Sequence, residues 1–369
     1  MEPAPINDAD KREDYQHDEA AALKYLKTSK IYLPILIGIG VVIWMLTRQF
    51  DITVLRDLHS TGHVIFWIGM AVLMYIARHL FYSMRLRVVT DYAFSWLKAI
   101  QLIVIWEFST AVSPTSVGGA GVAFFMLSKE KLGGAKTITA VLYTMIADTV
   151  FITVALIVLY LIVGPVMIRP GMVDLSDIDG YGITFLIVLT FMIGYGSLFF
   201  YGLFIRPRAI KRLLFWVSKW KIVGKFKKTL RTTAYDIETA AAEIKHKPIS
   251  FHLKAMGCTM GAWSVRFLAI NFLIVAFTVG SIQDLYDHLI VFARGMAMYT
   301  IEAFSPTPGA SGVAEVLFSG FYSDYVTAGV SVMIVFLWRL IGYYSYLFAG
   351  AIVVPLWLRS VFNKKEKTT

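Results

Sequence analysis

Glu107, Asp148, Glu302, Glu315 and Arg339 all fall within or beside apolar stretches of this chain. A charged side chain inside hydrocarbon costs a few kcal/mol, so such residues mark ligand or proton pathways by default. An arginine there can hold a phosphate through two parallel N–H bonds. In this reading Arg339 takes the phosphate, and Glu315 competes for that arginine or receives a cationic headgroup. The bland alternative is a structural Glu315–Arg339 ion pair. Glu302 and Glu107 either line a cavity, and carry protons there, or pack with hydrogen bonds at a hairpin base. Asp148 is deep in its span and is expected to act through Arg266 or Arg294. Arg78 and His79 read as side chains snorkelling to lipid phosphates. Arg85, Arg87 and the basic cluster at 206–231 read as topology signals drawn to anionic lipid.

What positions these groups is unusual backbone. Residues 305–315 read SPTPGASGVAE, with Pro306, Pro308, Gly309 and Gly312 close together. Proline removes a donor and clashes in a helix interior, and glycine costs about 1 kcal/mol there relative to alanine. A second interruption, SPTSVGGAGVA at 113–123, contains Pro114, Gly118 and Gly119. Irregular backbone at membrane depth is tolerated only when buried in protein or lining a watery cavity. The residues after each breaker are expected to start a short helix whose N-terminus forms an anion site.

The composition demands a membrane. Of 369 residues, 57% are hydrophobic and 16% charged, and mean hydropathy is positive. This fits an all-α polytopic membrane protein. Cys258 is the single cysteine, which excludes an internal disulfide framework and a cysteine-cluster metal site. The seven histidines show no ligand spacing, and no P-loop or nucleophile elbow appears. No cofactor, no nucleic-acid binding and no enzymatic activity are expected. Residues 1–30 read as a polar cytosolic tail without a signal peptide, and 359–369 as a basic tail.

Spans are expected near 31–47, 62–84, 137–163, 182–205, 253–279 and 327–358, within a membrane domain covering 31–358. Lysine and arginine are dense in the linker 206–252, which is therefore cytoplasmic. Part of that linker, around Leu213, Leu214, Phe215, Val217 and Trp220, is amphipathic and suits a membrane surface. Asp174, Asp177 and Asp179 suit an outer loop, as do Asp284 and Asp287. Both termini then face the cytoplasm, in the reading of a bacterial inner membrane. The broken regions 97–131 and 286–324 must each enter and leave on one side, from opposite faces. Two opposed re-entrant hairpins satisfy this, as do two pairs of short crossings. The unit 62–163 is also expected to recur at 253–358 in inverted orientation. Inverted repeats with broken helices are a transporter architecture with a midplane binding site.

These motifs carry a family resemblance. Arg78 with RLR at 85–87, SPTSVGG at 113–119, TPGASGVAE at 307–315 and Arg339 in the following span resemble the transmembrane region of lysylphosphatidylglycerol synthases, a flippase-like family. The likeness covers roughly 60–360. It departs in the first half, where Phe124 follows GVA and Thr144 and Met145 precede Asp148. The resemblance implies the lipid-handling half of such a protein, without the soluble aminoacyl-transferring domain. It implies a translocator moving an anionic or amino-modified phospholipid, or a lipid-linked headgroup, between leaflets. The expected partners are membrane phospholipids and a lipid-modifying or glycosyl transferase. A small-solute secondary transporter and a non-catalytic subunit of envelope lipid or glycan synthesis remain alternatives.

Overall fold

The computed structural model describes residues 61–113, 118–174, 180–219, 238–239, 241–278, 280–303, 305, 307–310 and 312–366. The expected span 31–47, Pro114 and Pro306 lie outside the described residues. The described fold is all helical. Its first half contains α1 (Thr61–Val89), α2 (Trp96–Val112), α3 (Gly118–Lys129) and α4 (Gly134–Val163). Next come α5 (Gly180–Phe200) and α6 (Pro207–Val217). The second half contains α7 (Ile249–Phe277), α8 (Leu285–Glu302), α9 (Val313–Phe321), α10 (Ala328–Arg339) and α11 (Ser345–Glu366). A π-turn at Leu340–Tyr344 joins α10 to α11.

Among the described residues four helices are long and apolar enough to cross a membrane: Thr61–Val89, Gly134–Val163, Ile249–Phe277 and the continuous run Ala328–Val361. This is a multi-pass membrane protein. At 1.5 Å per residue, α1 spans about 44 Å, whereas α3 spans about 18 Å and α9 about 14 Å, short of a ~30 Å hydrocarbon core. The expected span 182–205 is split between α5 and a π-turn at Tyr201–Ile205. α6 follows, and Lys211 on it donates to Glu238 at 2.8 Å. That hydrogen bond holds the Glu238 carboxyl below the usual carboxylate range.

Two apolar cores form among the described residues. The first gathers the second half of α1 (Tyr82–Val89), α2, α3, the start of α4 and the first half of α7 (Phe251–Ala262). The second gathers Ala71 and Tyr75 of α1, the later part of α4, the rest of α7, and α8, α9 and α10. The end of α1 thus shares a core with the start of α7, so the two pack antiparallel along their lengths. Glycine permits the closest approaches. A Cβ at Gly350 of α11 would collide with the Phe108 ring of α2, and one at Gly342 with Tyr75 of α1.

A separate buried knot closes the second core. Arg294 of α8 is fully buried and donates to the Val166 carbonyl at 3.0 Å, the Phe321 carbonyl at 3.1 Å and Asp324 at 2.5 Å. It ties α8 to the end of α9. The sequence expectation that Arg294 serves Asp148 is therefore corrected, because its donors go to the Val166 and Phe321 carbonyls and to Asp324.

Candidate functional site

Between the two cores lies a cavity of about 520 Å³. Its wall comes from the middles of α1, α4 and α7, the ends of α2, α8 and α10, and the two helix interruptions. Ser113 lies at the first interruption and Ser305, Thr307 and Gly309 at the second, so one chamber receives both.

Four arginines line this chamber: Arg78, Arg85, Arg266 and Arg339. Arg78 is 3% exposed and meets Glu107 at 2.6 Å. Its guanidinium lies 4.7 Å from the Tyr82 ring centroid and 5.5 Å from that of Tyr346. The neighbouring His79 meets the Tyr346 hydroxyl at 3.1 Å. The snorkelling expected of Arg78 does not occur. Its helix packs against α2 and α7, so the side chain turns inward, where Glu107 and three tyrosine rings replace water.

Arg85 departs from its expected role in the same way. It is buried and grips Asp148 with both terminal nitrogens, Nη2 lying 3.2 Å from Oδ2. Trp263 Nε1 donates to the same carboxylate at 2.7 Å, and Thr259 receives a bond from Arg85 at 3.1 Å. Asp148 therefore works with Arg85 and Trp263. Arg266 and Arg294, its expected partners, are engaged elsewhere: Arg266 lies over the Trp263 and Tyr299 rings.

Arg339, 6% exposed, bonds the Gly309 carbonyl through Nη1 and lies 3.6 Å from Glu315 through Nε. Its guanidinium also covers the Tyr343 ring at 4.2 Å. Glu315 accepts the Gly312 backbone N–H at 2.6 Å. That bond caps α9 with the protein's own carboxylate, so the anion site expected at this N-terminus is already filled. Gly309 has a left-handed φ of 57°, which favours glycine, and the Tyr343 ring occupies the space a Cβ would need. The Tyr343 hydroxyl in turn donates to the Ala111 carbonyl at the end of α2, at 3.2 Å. One tyrosine thus touches both interruptions.

Of the residues singled out from sequence, Glu107, Asp148, Glu302, Gly309 and Arg339 line the chamber. Glu315 and Gly312 stand behind Arg339. Gly118 opens α3, and Gly119 lets it close against Thr110 of α2. Pro308 starts the short 3-10 turn Pro308–Ala310. Sequence reasoning missed Arg78, Arg85 and Arg266 as chamber residues, along with their aromatic companions. A signal was present for the first two. Tyr75, Arg78, Tyr82 and Arg85 are spaced three and four apart, which aligns them on one helix face.

The profile of the lysylphosphatidylglycerol synthase TM region matches residues 31–350 of this chain. A UPF0104 membrane protein of Archaeoglobus fulgidus is 25% identical over 308 residues, covering 81% of this chain and 89% of that protein. No solved structure matches.

Proposed function

Because the chain belongs to the lysylphosphatidylglycerol synthase TM-region family, which supports a lipid-handling role in the membrane, we propose that it translocates a phospholipid or lipid-linked headgroup between leaflets. The observation that carries this reading is the chamber between the two cores, with four arginines and both helix interruptions in its wall. A phosphate entering it would meet guanidinium groups in a low-dielectric space, where charge-assisted bonds are strong.

A lipid needs a side entrance for its chains. Phe191 of α5 lines the chamber and is 57% exposed, which supports an opening through that wall. α2–α3 and α8–α9 act as two re-entrant hairpins entering from opposite faces, because α3 and α9 are too short to cross. The order long, medium, short, long occurs in both halves. Arg78 also occupies the position in α1 that Arg266 occupies in α7, counting from the first residue of each 29-residue helix. With α1 and α7 antiparallel, this supports an inverted repeat and a midplane site. Arg339 is the phosphate-binding candidate, with Glu315 as its resting counter-ion, and Glu107, Asp148 and Glu302 complete the charged wall. The termini face the cytoplasm, where a lipid-modifying enzyme would supply the substrate.

Mass spectrometry of lipids co-purified with wild type and Arg339→Gln tests the reading. One headgroup class is expected to be enriched over the bulk membrane in wild type and depleted in the variant. Two profiles equal to bulk membrane would overturn it in favour of a soluble solute.

A further inference from the structure

The charges of the chamber do not all pair. Arg78 meets Glu107, Arg85 meets Asp148 and Arg339 meets Glu315. Arg266 and Glu302 remain. Among the described residues no carboxylate pairs with Arg266, whose guanidinium rests 4.6 Å from the Tyr299 ring centroid and 5.3 Å from that of Trp263. Glu302 is partly buried at the end of α8, and its Oε1 has no hydrogen-bond partner among the described residues. Both residues line the same chamber. Both side chains are partly buried; an ion withdrawn from water without a counter-ion is destabilised, and stacking on two rings returns only part of that.

We propose that Arg266 and Glu302 are the two poles of a headgroup site for a zwitterion. The phosphate of an amino-phospholipid sits on Arg266 above the Trp263–Tyr299 shelf, and its ammonium sits against Glu302. This inference rests on the lipid reading above and narrows it: the phosphate seated on Arg266 also faces Arg339, which keeps Glu315 as its counter-ion, so both arginines contribute to holding it. The charge balance carries the step. With Glu315 counted, the chamber holds four guanidinium groups and four carboxylates, and three of each are already matched. A net-anionic headgroup would satisfy Arg266 and leave Glu302 facing a phosphate. A net-cationic one would do the reverse. A headgroup with one phosphate and one amine leaves neither pole uncompensated. The chamber volume falls within the 300–1,000 Å³ typical of small-ligand sites, ample for a headgroup of this kind.

The site also accounts for the absence of a contact ion pair between Arg266 and Glu302. Arg266 is held by its aromatic shelf on α7, while Glu302 closes α8 next to the second interruption. A ligand bridges them, so binding draws α7 and the second hairpin together.

The test uses the full chain in detergent, with Trp263 among the fluorescent reporters of occupancy. Dihexanoyl phosphatidylethanolamine is titrated against dihexanoyl phosphatidylglycerol, which has the phosphate without the amine. Wild type is expected to prefer the ethanolamine lipid by about tenfold or more. Glu302→Gln, nearly isosteric, should abolish the preference while keeping phosphate affinity. Arg266→Gln should weaken both lipids, and Arg266→Lys should restore part of that loss if the first variant folds poorly. Equal or tighter binding of the glycerol lipid by wild type would overturn the proposal and leave the lipid reading standing. A preference unchanged in Glu302→Gln would also overturn it. Glycerophosphoethanolamine binding as tightly as the chain-bearing lipid would uphold the zwitterion site and sink the lipid reading.

Discussion

The Tyr343 hydroxyl donates to the Ala111 carbonyl at 3.2 Å while its ring lies against Gly309. Ala111 closes the first broken helix and Gly309 sits in the second. The two interruptions, whose SPT motifs start 192 residues apart at 113 and 305, are thus pinned by one side chain that also carries Arg339 over its ring.

Tyr343→Phe should remove the hydrogen bond of that pin and leave the ring against Gly309. One buried hydrogen bond is worth about 1 kcal/mol net, so the variant should fold, with slightly lower thermal stability. Lipid translocation in reconstituted vesicles should change more than stability does. An unaltered translocation rate would make Tyr343 a packing residue only.

Asp148→Asn should be among the most damaging single changes. It leaves Arg85 buried without a counter-ion, a loss of about 3–5 kcal/mol for a broken buried pair. Trp263 also loses its charged acceptor. Replacing both ions, as Arg85→Met with Asp148→Leu, should recover much of the melting temperature. Recovery of stability without recovery of lipid binding would assign the pair to function.

Gly350→Leu should push α11 off α2, because the Phe108 ring already fills the space beside Gly350. Overpacking of this kind costs about 1–3 kcal/mol. Phe108→Ala in the same chain should relieve part of it. The readout is the fraction of monodisperse protein after heating in detergent.

The proposed opposed-hairpin arrangement predicts where a thiol can be reached. In a Cys258→Ala background, Ser113→Cys should resist an impermeant reagent from the outer side. If α2 and α3 instead crossed the membrane as a pair, that cysteine would sit at the outer surface and label readily.

Acidification should loosen α6. The Lys211 hydrogen bond holds the Glu238 carboxyl below its ordinary value. A depressed carboxylate contributes stability above the unfolded value, about 4.3, and loses it as pH falls through the lower folded value. Amide exchange in α6 should therefore rise as pH drops below about 4, after correction for the intrinsic rate.

The sequence by itself determined the membrane class, the long helices and the two interruptions. Apolar runs of spanning length and Pro/Gly clusters are local properties, and hydrocarbon leaves a helix few alternatives. It also marked Glu107, Asp148, Glu302 and Arg339, because a charge in an apolar run stands out. Only tertiary structure decided the pairing. Asp148 of α4 could have met Arg266 or Arg294 by depth alone, but α1 packs along α7 and delivers Arg85 instead. Arg78 looked like a lipid-facing cation because its outward or inward aim depends on which face α2 and α7 cover. That Arg266 and Glu302 are the two left over became visible only once every neighbouring charge was seen to be matched. Such a remainder is a property of the assembled chamber, since no residue's own sequence neighbours record which partner another helix has already taken.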